Sequence, residues 1–173
     1  MAVRRKTGEV YFTDPNRAGG FFRNESGVSS VYRVTAAGRV DLLIQDLSFP
    51  NGIAFSPDES KLYVANTQPE KTWWVYDVGS DGSARNGRIL LDAAKIPGTN
   101  GPDSMKVDKA GNLYAAGPGG ILIISPQGRH LGTIQFAEPA TNCAWGDADG
   151  KTLYITARPG LYRIRLNVGG KIP

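Results

Sequence analysis

One short pattern occurs three times along this chain and restricts the folds that it can form. In each copy a residue with a side-chain oxygen opens a short apolar run, a tight turn follows, and a second run carries a tyrosine. The opening residues, called heads below, are Asn51, Asp103 and Asn142, and the tyrosines, with an earlier one, are Tyr11, Tyr63, Tyr114 and Tyr154. A repeat of roughly 40 to 50 residues with several short strands is typical of a propeller blade. The pattern therefore predicts a β-propeller whose heads meet around its axis.

The rest of the chain favours an all-β fold. It has 22 glycines and 11 prolines among 173 residues, as expected where many tight turns join short strands. No stretch of helical length keeps a 3.6-residue apolar period without a glycine or proline. Alternation and turn residues predict strands over residues 10–13, 31–34, 39–44, 52–55, 62–65, 73–78, 88–91, 105–107, 113–116, 121–124, 131–136, 143–145, 153–156 and 161–166.

We expect one domain of four blades, over about residues 1–48, 49–100, 101–139 and 140–173. The first unit lacks a credible innermost strand, because only residues 1–6 stand where one belongs, and the fourth has no run left for an outermost strand. Two complete and two partial blades do not close a ring, so we expect the chain to be the C-terminal part of a longer propeller. The spacing from head to tyrosine places the head of the first unit just before Met1.

Composition argues against several classes of partner. The net charge of +4 is spread along the chain without an RNA-binding or helix-turn-helix pattern, which disfavours nucleic acid. Cys143 is the only cysteine, so an intrachain disulfide is impossible and a thiolate metal site is excluded. No apolar run approaches the ~20 residues of a membrane span, and the N-terminus lacks the apolar region of a signal peptide. We expect no nucleic-acid, membrane or obligate protein partner, and a cytoplasmic location for the chain as given.

Four ordered motifs carry a resemblance to a known family. They read FTDP at 12–15, PNGIAFSPD at 50–58, GPDSM at 101–105 and TNCAWG at 141–146. In this order and spacing they resemble successive blades of the gluconolactonase and senescence-marker-protein (regucalcin-like) family, from about Gly8 to Ile164. The resemblance implies a six-bladed propeller that hydrolyses sugar lactones, and in some relatives organophosphates. It also implies one divalent cation in the central tunnel, held by a glutamate, two asparagines and an aspartate.

This resemblance implies that the chain carries part of a metal site. Asn51 matches the second asparagine ligand, and Asp103 matches the aspartate that binds the metal and acts as base or nucleophile. The glutamate belongs to a blade outside this chain, the first asparagine would fall just before Met1, and Ser104 stands where the family usually has glycine. Ca²⁺ is the expected cation, with Zn²⁺, Mg²⁺ or Mn²⁺ as alternatives, because amide and carboxylate oxygens suit hard cations.

Each candidate residue also has a structural interpretation. An Asn or Asp before a strand is ordinarily a turn residue that bonds its own backbone, and this alternative stands beside the site interpretation of Asn51 and Asp103. We expect Asn142 to line the tunnel and contact substrate without binding metal, and Asp14 to contact substrate or cap its strand. The acidic segment 147–150 is interpreted as a turn, and the loop 14–30 as a candidate lid over the tunnel mouth.

Two function classes remain. The first is a metal-dependent, gluconolactonase-like lactone hydrolase, in which a cation polarises the lactone carbonyl and Asp103 serves as base or nucleophile. The second is a non-catalytic propeller that presents loops to protein or carbohydrate ligands. Heads at consecutive blades favour the first class and a small-molecule lactone substrate. Because two of four ligands are missing, we expect the chain alone to be catalytically silent and to associate through open sheet edges.

Overall fold

Four antiparallel sheets follow one another along the chain in a computed structural model that describes residues 1–16 and 25–170. The first sheet holds β1 (Ala2–Arg4), β2 (Glu9–Asp14), β3 (Ser30–Val34) and β4 (Val40–Ile44). The second holds β5 (Pro50–Phe55), β6 (Lys61–Asn66), β7 (Thr72–Val78) and β8 (Ala84–Asp92). The third holds β9 (Met105–Val107), β10 (Leu113–Gly117), β11 (Gly120–Ile124) and β12 (His130–Gln135), and the fourth β13 (Ala140–Gly146), β14 (Thr152–Ala157) and β15 (Gly160–Arg165).

The sheets are arranged as propeller blades. Within each sheet the strands lie in chain order, and the first strand of each sheet contacts the first strand of the next: β1 contacts β5, β5 contacts β9, and β9 contacts β13. The predicted all-β propeller is therefore confirmed, and each of the fourteen predicted runs overlaps one observed strand. Over the described ranges, no helix has the length and apolar character needed to cross a membrane.

The expectation that the first blade lacks an innermost strand is wrong. β1 pairs with β2, from Ala2 opposite Tyr11 to Arg4 opposite Glu9. The alternation test missed this strand because Arg4 fills a buried position where the pattern calls for an apolar residue. Its Nη2 donates to the Gly79 carbonyl at 3.2 Å, and its Nη1 lies 3.7 Å from Glu9 Oε2. Partners for the guanidinium thus come from β2 and from the second blade.

Two of the repeated tyrosines, Tyr11 and Tyr114, fill the space between neighbouring blades. The Tyr11 ring meets Phe55 of β5 edge-on, with centroids 4.8 Å apart, and the Tyr114 ring meets Trp145 of β13 at 4.9 Å. Phe55 and Trp145 lie near the ends of their innermost strands, so each contact joins a second strand to the first strand of the next blade. Edge-on aromatic pairs of this kind add packing energy beyond the area that they bury. The spacing of these tyrosines therefore reflects the packing of each blade against the next.

The two end blades each leave one face uncovered by other described residues. On the first blade Val3, Val40 and Leu42 are 52%, 57% and 50% exposed. They share this face with Phe12 and Tyr32, whose rings stack at 5.4 Å. On the last blade Leu161 is 71% exposed. Exposed apolar surface that is continuous over a sheet face favours association.

Candidate functional site

The heads occupy irregular positions at the starts of the innermost strands. The pairing register of β5 with β6 shifts between Pro50 and Ile53, the segment that contains Asn51. The register of β13 with β14 shifts between Ala140 and Asn142. A bulge takes a residue out of the hydrogen-bonded ladder and redirects its side chain, and bulges are frequent beside active sites. Asp103 lies just before β9, where its backbone N–H donates to the Ala116 carbonyl at 2.8 Å.

Hydrogen bonds tie the head segments of successive blades together. Three such bonds cross between blades: Thr13 Oγ1 donates to Asn51 O at 2.6 Å, Thr67 Oγ1 to Pro102 O at 2.7 Å, and Ser104 N to Thr141 O at 3.3 Å. These bonds join all four blades at the end of the propeller that carries the heads. Side chains and carbonyls at this end are therefore held by partners far away in sequence.

Asn51 and Asp103 lie side by side. Asn51 Nδ2 donates to Thr67 Oγ1 at 3.2 Å, and the Asn51 amide lies near enough to the Asp103 carboxyl to lower its pKa. Close approach of the two segments depends on Gly52, because a Cβ there would collide with the Asp103 carbonyl and lie 2.8 Å from Ser104 Cα. The structure thus brings together the two residues for which the sequence predicts metal binding.

The electrostatic environment of Asp103 is mixed. Burial raises the pKa of the Asp103 carboxyl above its ordinary value, while the hydrogen bond from the Ser104 backbone N–H and the nearby Asn51 amide partly offset this rise. The Ser104 N–H donates to Asp103 Oδ1 at 2.8 Å and holds the carboxylate in one orientation. A partly desolvated carboxylate with a raised pKa is a stronger base than an exposed one.

The donor set of this pair fits a hard cation. The described part of the chain contains no group of three His, Cys, Asp or Glu that could hold a metal, so the candidate centre rests on one amide and one carboxylate. The hydrogen bond from the Asn51 side chain to Thr67 uses Nδ2, and no hydrogen bond from the described residues reaches Oδ1. That oxygen and the Asp103 carboxylate are ligands of the type that Ca²⁺ prefers, and they supply only part of its usual six to eight oxygens.

Asn142 lies apart from this pair in its side-chain contacts. Its Oδ1 accepts a hydrogen bond from the Cys143 backbone N–H at 2.8 Å, and no hydrogen bond in the described ranges joins it to Asn51 or Asp103. It is exposed and lines a groove of about 460 Å³ with residues that include Lys106 and Thr156. Its predicted contact with substrate stays a prediction.

Asp14 ends β2 opposite Ser30 and is half-buried. The residue before it, Thr13, binds the Asn51 carbonyl, so the end of β2 lies beside the head of the second blade. A role in substrate contact stays a prediction. The predicted lid over residues 14–30 cannot be compared with the structure as a whole, because residues 17–24 lie outside the described ranges.

The acidic segment 147–150 behaves as a turn. Asp147 accepts a hydrogen bond from the Tyr154 hydroxyl at 2.8 Å, and Asp149 accepts one from the Lys151 backbone N–H at 3.0 Å. Both carboxylates thus serve the hairpin that joins β13 and β14. The one histidine of the sequence, His130, is exposed, with its Nε2 2.9 Å from Thr133 Oγ1.

Sequence reasoning missed two residues near the heads. Thr67 follows β6 and contacts both Asn51 and the residue before Asp103, as described above. Lys106 of β9 lines the Asn142 groove and also a cavity of about 190 Å³ that all four innermost strands border. Thr67 lies four residues after the repeated Tyr63, and Lys106 lies three residues after the head Asp103. The repeat is defined by its heads and tyrosines alone, so neither residue stands out in the sequence. A search of the loops that share the face of the heads would have singled out Thr67.

Comparisons with known proteins identify the family of the chain. A family profile described as "SMP-30/Gluconolactonase/LRE-like region" matches residues 2–158. A gluconolactonase of Zymomonas mobilis is 39% identical over 176 residues, which cover 95% of this chain and 49% of that protein. A 6-deoxy-6-sulfogluconolactonase of Pseudomonas putida is 34% identical over 138 residues, which cover 78% of this chain and 46% of that protein. The chain thus spans about half the length of the curated relatives that it matches.

Solved structures show the same fold. A gluconolactonase of Xanthomonas campestris superposes with a TM-score of 0.81 and 30% identity, over 94% of this chain and 55% of that one. A regucalcin of Agrobacterium tumefaciens, described as a calcium-binding protein, superposes with a TM-score of 0.79 and 23% identity, over 95% of this chain and 60% of that one. Because the family profile covers most of its length, the chain belongs to the SMP-30/gluconolactonase/LRE-like family.

Proposed function

We propose that the protein to which this chain belongs hydrolyses sugar lactones, and that Asn51 and Asp103 form part of its active site. The observation that carries the proposal is that the heads of two consecutive blades lie together. The Gly52 backbone approaches the Asp103 backbone closely, and the Asn51 amide lies near enough to the Asp103 carboxyl to lower its pKa. Family membership and the names of the gluconolactonase relatives support sugar lactones as the substrate class.

The same two residues are the proposed holders of a divalent cation, with Ca²⁺ as the first choice. Asn51 would contribute Oδ1 and Asp103 its carboxylate. When bound, such a cation supplies polarisation of the lactone carbonyl and stabilises the negative charge that develops on its oxygen. A calcium-binding protein among the structural neighbours agrees with this choice.

Asp103 is the proposed base or nucleophile. The Ser104 N–H fixes the orientation of its carboxylate, and burial raises its pKa toward the range in which a base is effective. In that position it would either take a proton from the water that attacks the lactone carbonyl or attack the carbonyl directly. In both routes the C–O bond of the ring breaks and its oxygen leaves as a sugar hydroxyl, and in the second route water then hydrolyses the acyl-aspartate intermediate. Asn142 and Asp14 are proposed to bind hydroxyl groups of the sugar from opposite sides of the pair.

A chimera tests the proposal directly. The complete 173-residue chain would replace the half of the Zymomonas mobilis gluconolactonase that it matches, and hydrolysis of glucono-δ-lactone would be measured against the spontaneous rate. We expect turnover that is lost with a chelator and restored by Ca²⁺. Binding of Ca²⁺ would be measured separately by calorimetry on the same chimera.

Two outcomes would contradict the proposal. A folded chimera that binds Ca²⁺ and hydrolyses no lactone would favour a binding propeller. A chimera whose turnover is unaffected by the chelator would remove the cation from the mechanism. An Asp149→Asn variant serves as a control, because it changes an exposed carboxylate in the β13–β14 turn and should leave turnover unchanged.

A further inference from the structure

We propose that Thr67 is a positioning residue that fixes the orientation of the Asn51 side-chain amide and links it to the segment that carries Asp103. The expected effects of Thr67 on Ca²⁺ binding and on lactone turnover rest on the proposed function. Its effect on the orientation of the Asn51 amide follows from hydrogen bonds and can be tested without a cation or a substrate.

The single hydroxyl proton of Thr67 decides the direction of its hydrogen bonds. A threonine hydroxyl has one proton to donate and two lone pairs that accept. Thr67 Oγ1 donates its proton to the Pro102 carbonyl at 2.7 Å, and a carbonyl can only accept. Toward Asn51, 3.2 Å away, Thr67 therefore presents a lone pair, which accepts from Nδ2.

This arrangement excludes the flipped amide. A rotation of the Asn51 amide by 180° would put Oδ1 against the Thr67 lone pair, so an attractive contact would become repulsive. Holding Nδ2 on Thr67 Oγ1 leaves Oδ1 without a hydrogen bond from the described residues. Thr67 thus acts through Asn51, whose Oδ1 is left in position to bind a cation.

Thr67 also couples two blades at this point. Its hydroxyl joins the loop after β6 to Pro102, the residue directly before Asp103. The backbone carbonyl of Thr67 lies so close to Gly101 that a Cβ on that glycine would collide with it. Both the backbone and the side chain of Thr67 therefore contact the segment that leads to Asp103.

Thr13 provides a matched control in the preceding blade. Its Oγ1 also donates to a head, but to the backbone carbonyl of Asn51, at 2.6 Å. A Thr13→Val change removes a hydroxyl that ties two blades and leaves the Asn51 amide with its acceptor, Thr67 Oγ1. Thr67→Val removes the same group and takes that acceptor from the amide. The two variants separate loosening of the blades from loss of amide orientation.

The first measurement is a nitrogen–proton NMR spectrum of the asparagine side chains, recorded on the chimera. The Asn51 signal would be assigned by its loss in Asn51→Asp. We expect Thr67→Val to shift the Asn51 Nδ2 signals, and Thr67→Ser, which keeps the hydroxyl, to restore them. Thr13→Val should leave them close to their original positions. An Asn51 signal that is unchanged in Thr67→Val would overturn the proposal, whether or not the protein binds a cation.

The second measurement is the Ca²⁺ affinity of the chimera, with lactone turnover alongside. Loss of a residue that orients a metal ligand typically lowers affinity about 10- to 100-fold. We expect a decrease of about tenfold or more in Thr67→Val, recovery in Thr67→Ser, and a smaller effect in Thr13→Val. Equal losses in Thr67→Val and Thr13→Val, with equal losses of thermal stability, would reduce Thr67 to a structural tether and overturn the proposal. Failure of the parent chimera to bind Ca²⁺ would instead contradict the proposed function, and the NMR result would still decide the role of Thr67.

Discussion

Single residues at the heads combine structural and chemical roles. Asp103 and Asn142 each use Oδ1 to accept a hydrogen bond from the backbone N–H of the next residue, at 2.8 Å in both cases. This is the turn role that such residues ordinarily have. Only Asp103 also meets an amide from the preceding blade, which separates it from Asn142. The structural and the functional interpretations of Asp103 are therefore compatible.

Replacing Asp103 by Asn tests its chemical role. The change is nearly isosteric and keeps an oxygen that can accept the Ser104 N–H, but it removes the charge and the basic oxygen. We expect kcat/KM of the chimera for glucono-δ-lactone to fall by about 10²- to 10⁴-fold, with an unchanged melting temperature. Turnover equal to that of the parent chimera would show that Asp103 is not the base.

At the scale of strands and turns, hydrogen bonds join the β1–β2 hairpin of the first blade to the β5–β6 hairpin of the second. Glu59, in the β5–β6 turn, has φ of 61° and is buried. Its carboxylate accepts the backbone N–H groups of Arg5 at 2.9 Å and Lys6 at 3.2 Å, both in the β1–β2 turn. A left-handed conformation is uncommon for glutamate, and these two contacts offset its cost.

Asp58 stabilises the same β5–β6 turn in a way that depends on pH. It accepts hydrogen bonds from the Ser56 and Ser60 hydroxyls and from the Ser60 N–H, and these contacts lower the pKa of Asp58 to about 2. Because the folded pKa lies below the unfolded one, the contribution to stability is present above about pH 4 and is lost as pH falls toward 2. We expect Asp58→Asn to lower the free energy of unfolding at pH 7 by about 0.5–1 kcal/mol, since the group is exposed.

The measurement is denaturant unfolding of parent and variant between pH 2 and pH 7. The difference between the two proteins should shrink below pH 4. Asp46→Asn, which removes an exposed carboxylate outside the turn, controls for net charge. A difference that stays constant down to pH 2 would rule out the carboxylate hydrogen bonds as its source.

The repeated tyrosines differ in how much their hydroxyls contribute to stability. The Tyr11 hydroxyl is buried and donates to the Gly82 carbonyl of the second blade at 2.7 Å, whereas the Tyr154 hydroxyl donates to the exposed Asp147. We expect Tyr11→Phe to lower the free energy of unfolding by about 1–2 kcal/mol, because the buried carbonyl loses its partner. The matched change Tyr154→Phe should cost about 0.5 kcal/mol or less. Equal effects in chemical denaturation would show that the contact between blades adds nothing.

For the molecule as a whole, the uncovered face of the first blade governs behaviour in solution. Val40 and Leu42 lie on this face with the stacked Phe12 and Tyr32 rings. We expect the isolated chain to associate through this face at micromolar concentration and to hydrolyse no lactone. Sedimentation velocity should show that Val40→Lys with Leu42→Lys shifts the chain toward monomer, because lysines on a sheet face or edge oppose association.

A second double variant controls for added charge. Ile89 and Leu131 are each 51% exposed and lie on the outermost strands β8 and β12, away from the open faces. Their replacement by lysine should leave association unchanged. An isolated chain that is monomeric, folds cooperatively and hydrolyses lactones with bound Ca²⁺ would contradict both the expected association and the expected lack of activity.

The sequence by itself determined the class of fold, the order of the strands and the equivalence of Asn51, Asp103 and Asn142. These properties depend on alternation, turn residues and a repeat, which are local or periodic and can be recognised along one chain. The sequence also predicted, through its resemblance to a known family, the two residues that the structure places in contact. Where alternation was broken by one buried charge, at Arg4, the strand was missed.

Only the tertiary structure decided what surrounds the heads. Gly52 admits the Asp103 segment, Thr67 donates to the Pro102 carbonyl, and Gly79 accepts a bond from Arg4, all across a boundary between blades. Such contacts join residues far apart in sequence, and no local pattern specifies which side chain meets which carbonyl. They are set by the angle and spacing at which neighbouring sheets pack, because a hydrogen bond forms only within a few tenths of an ångström of its preferred length.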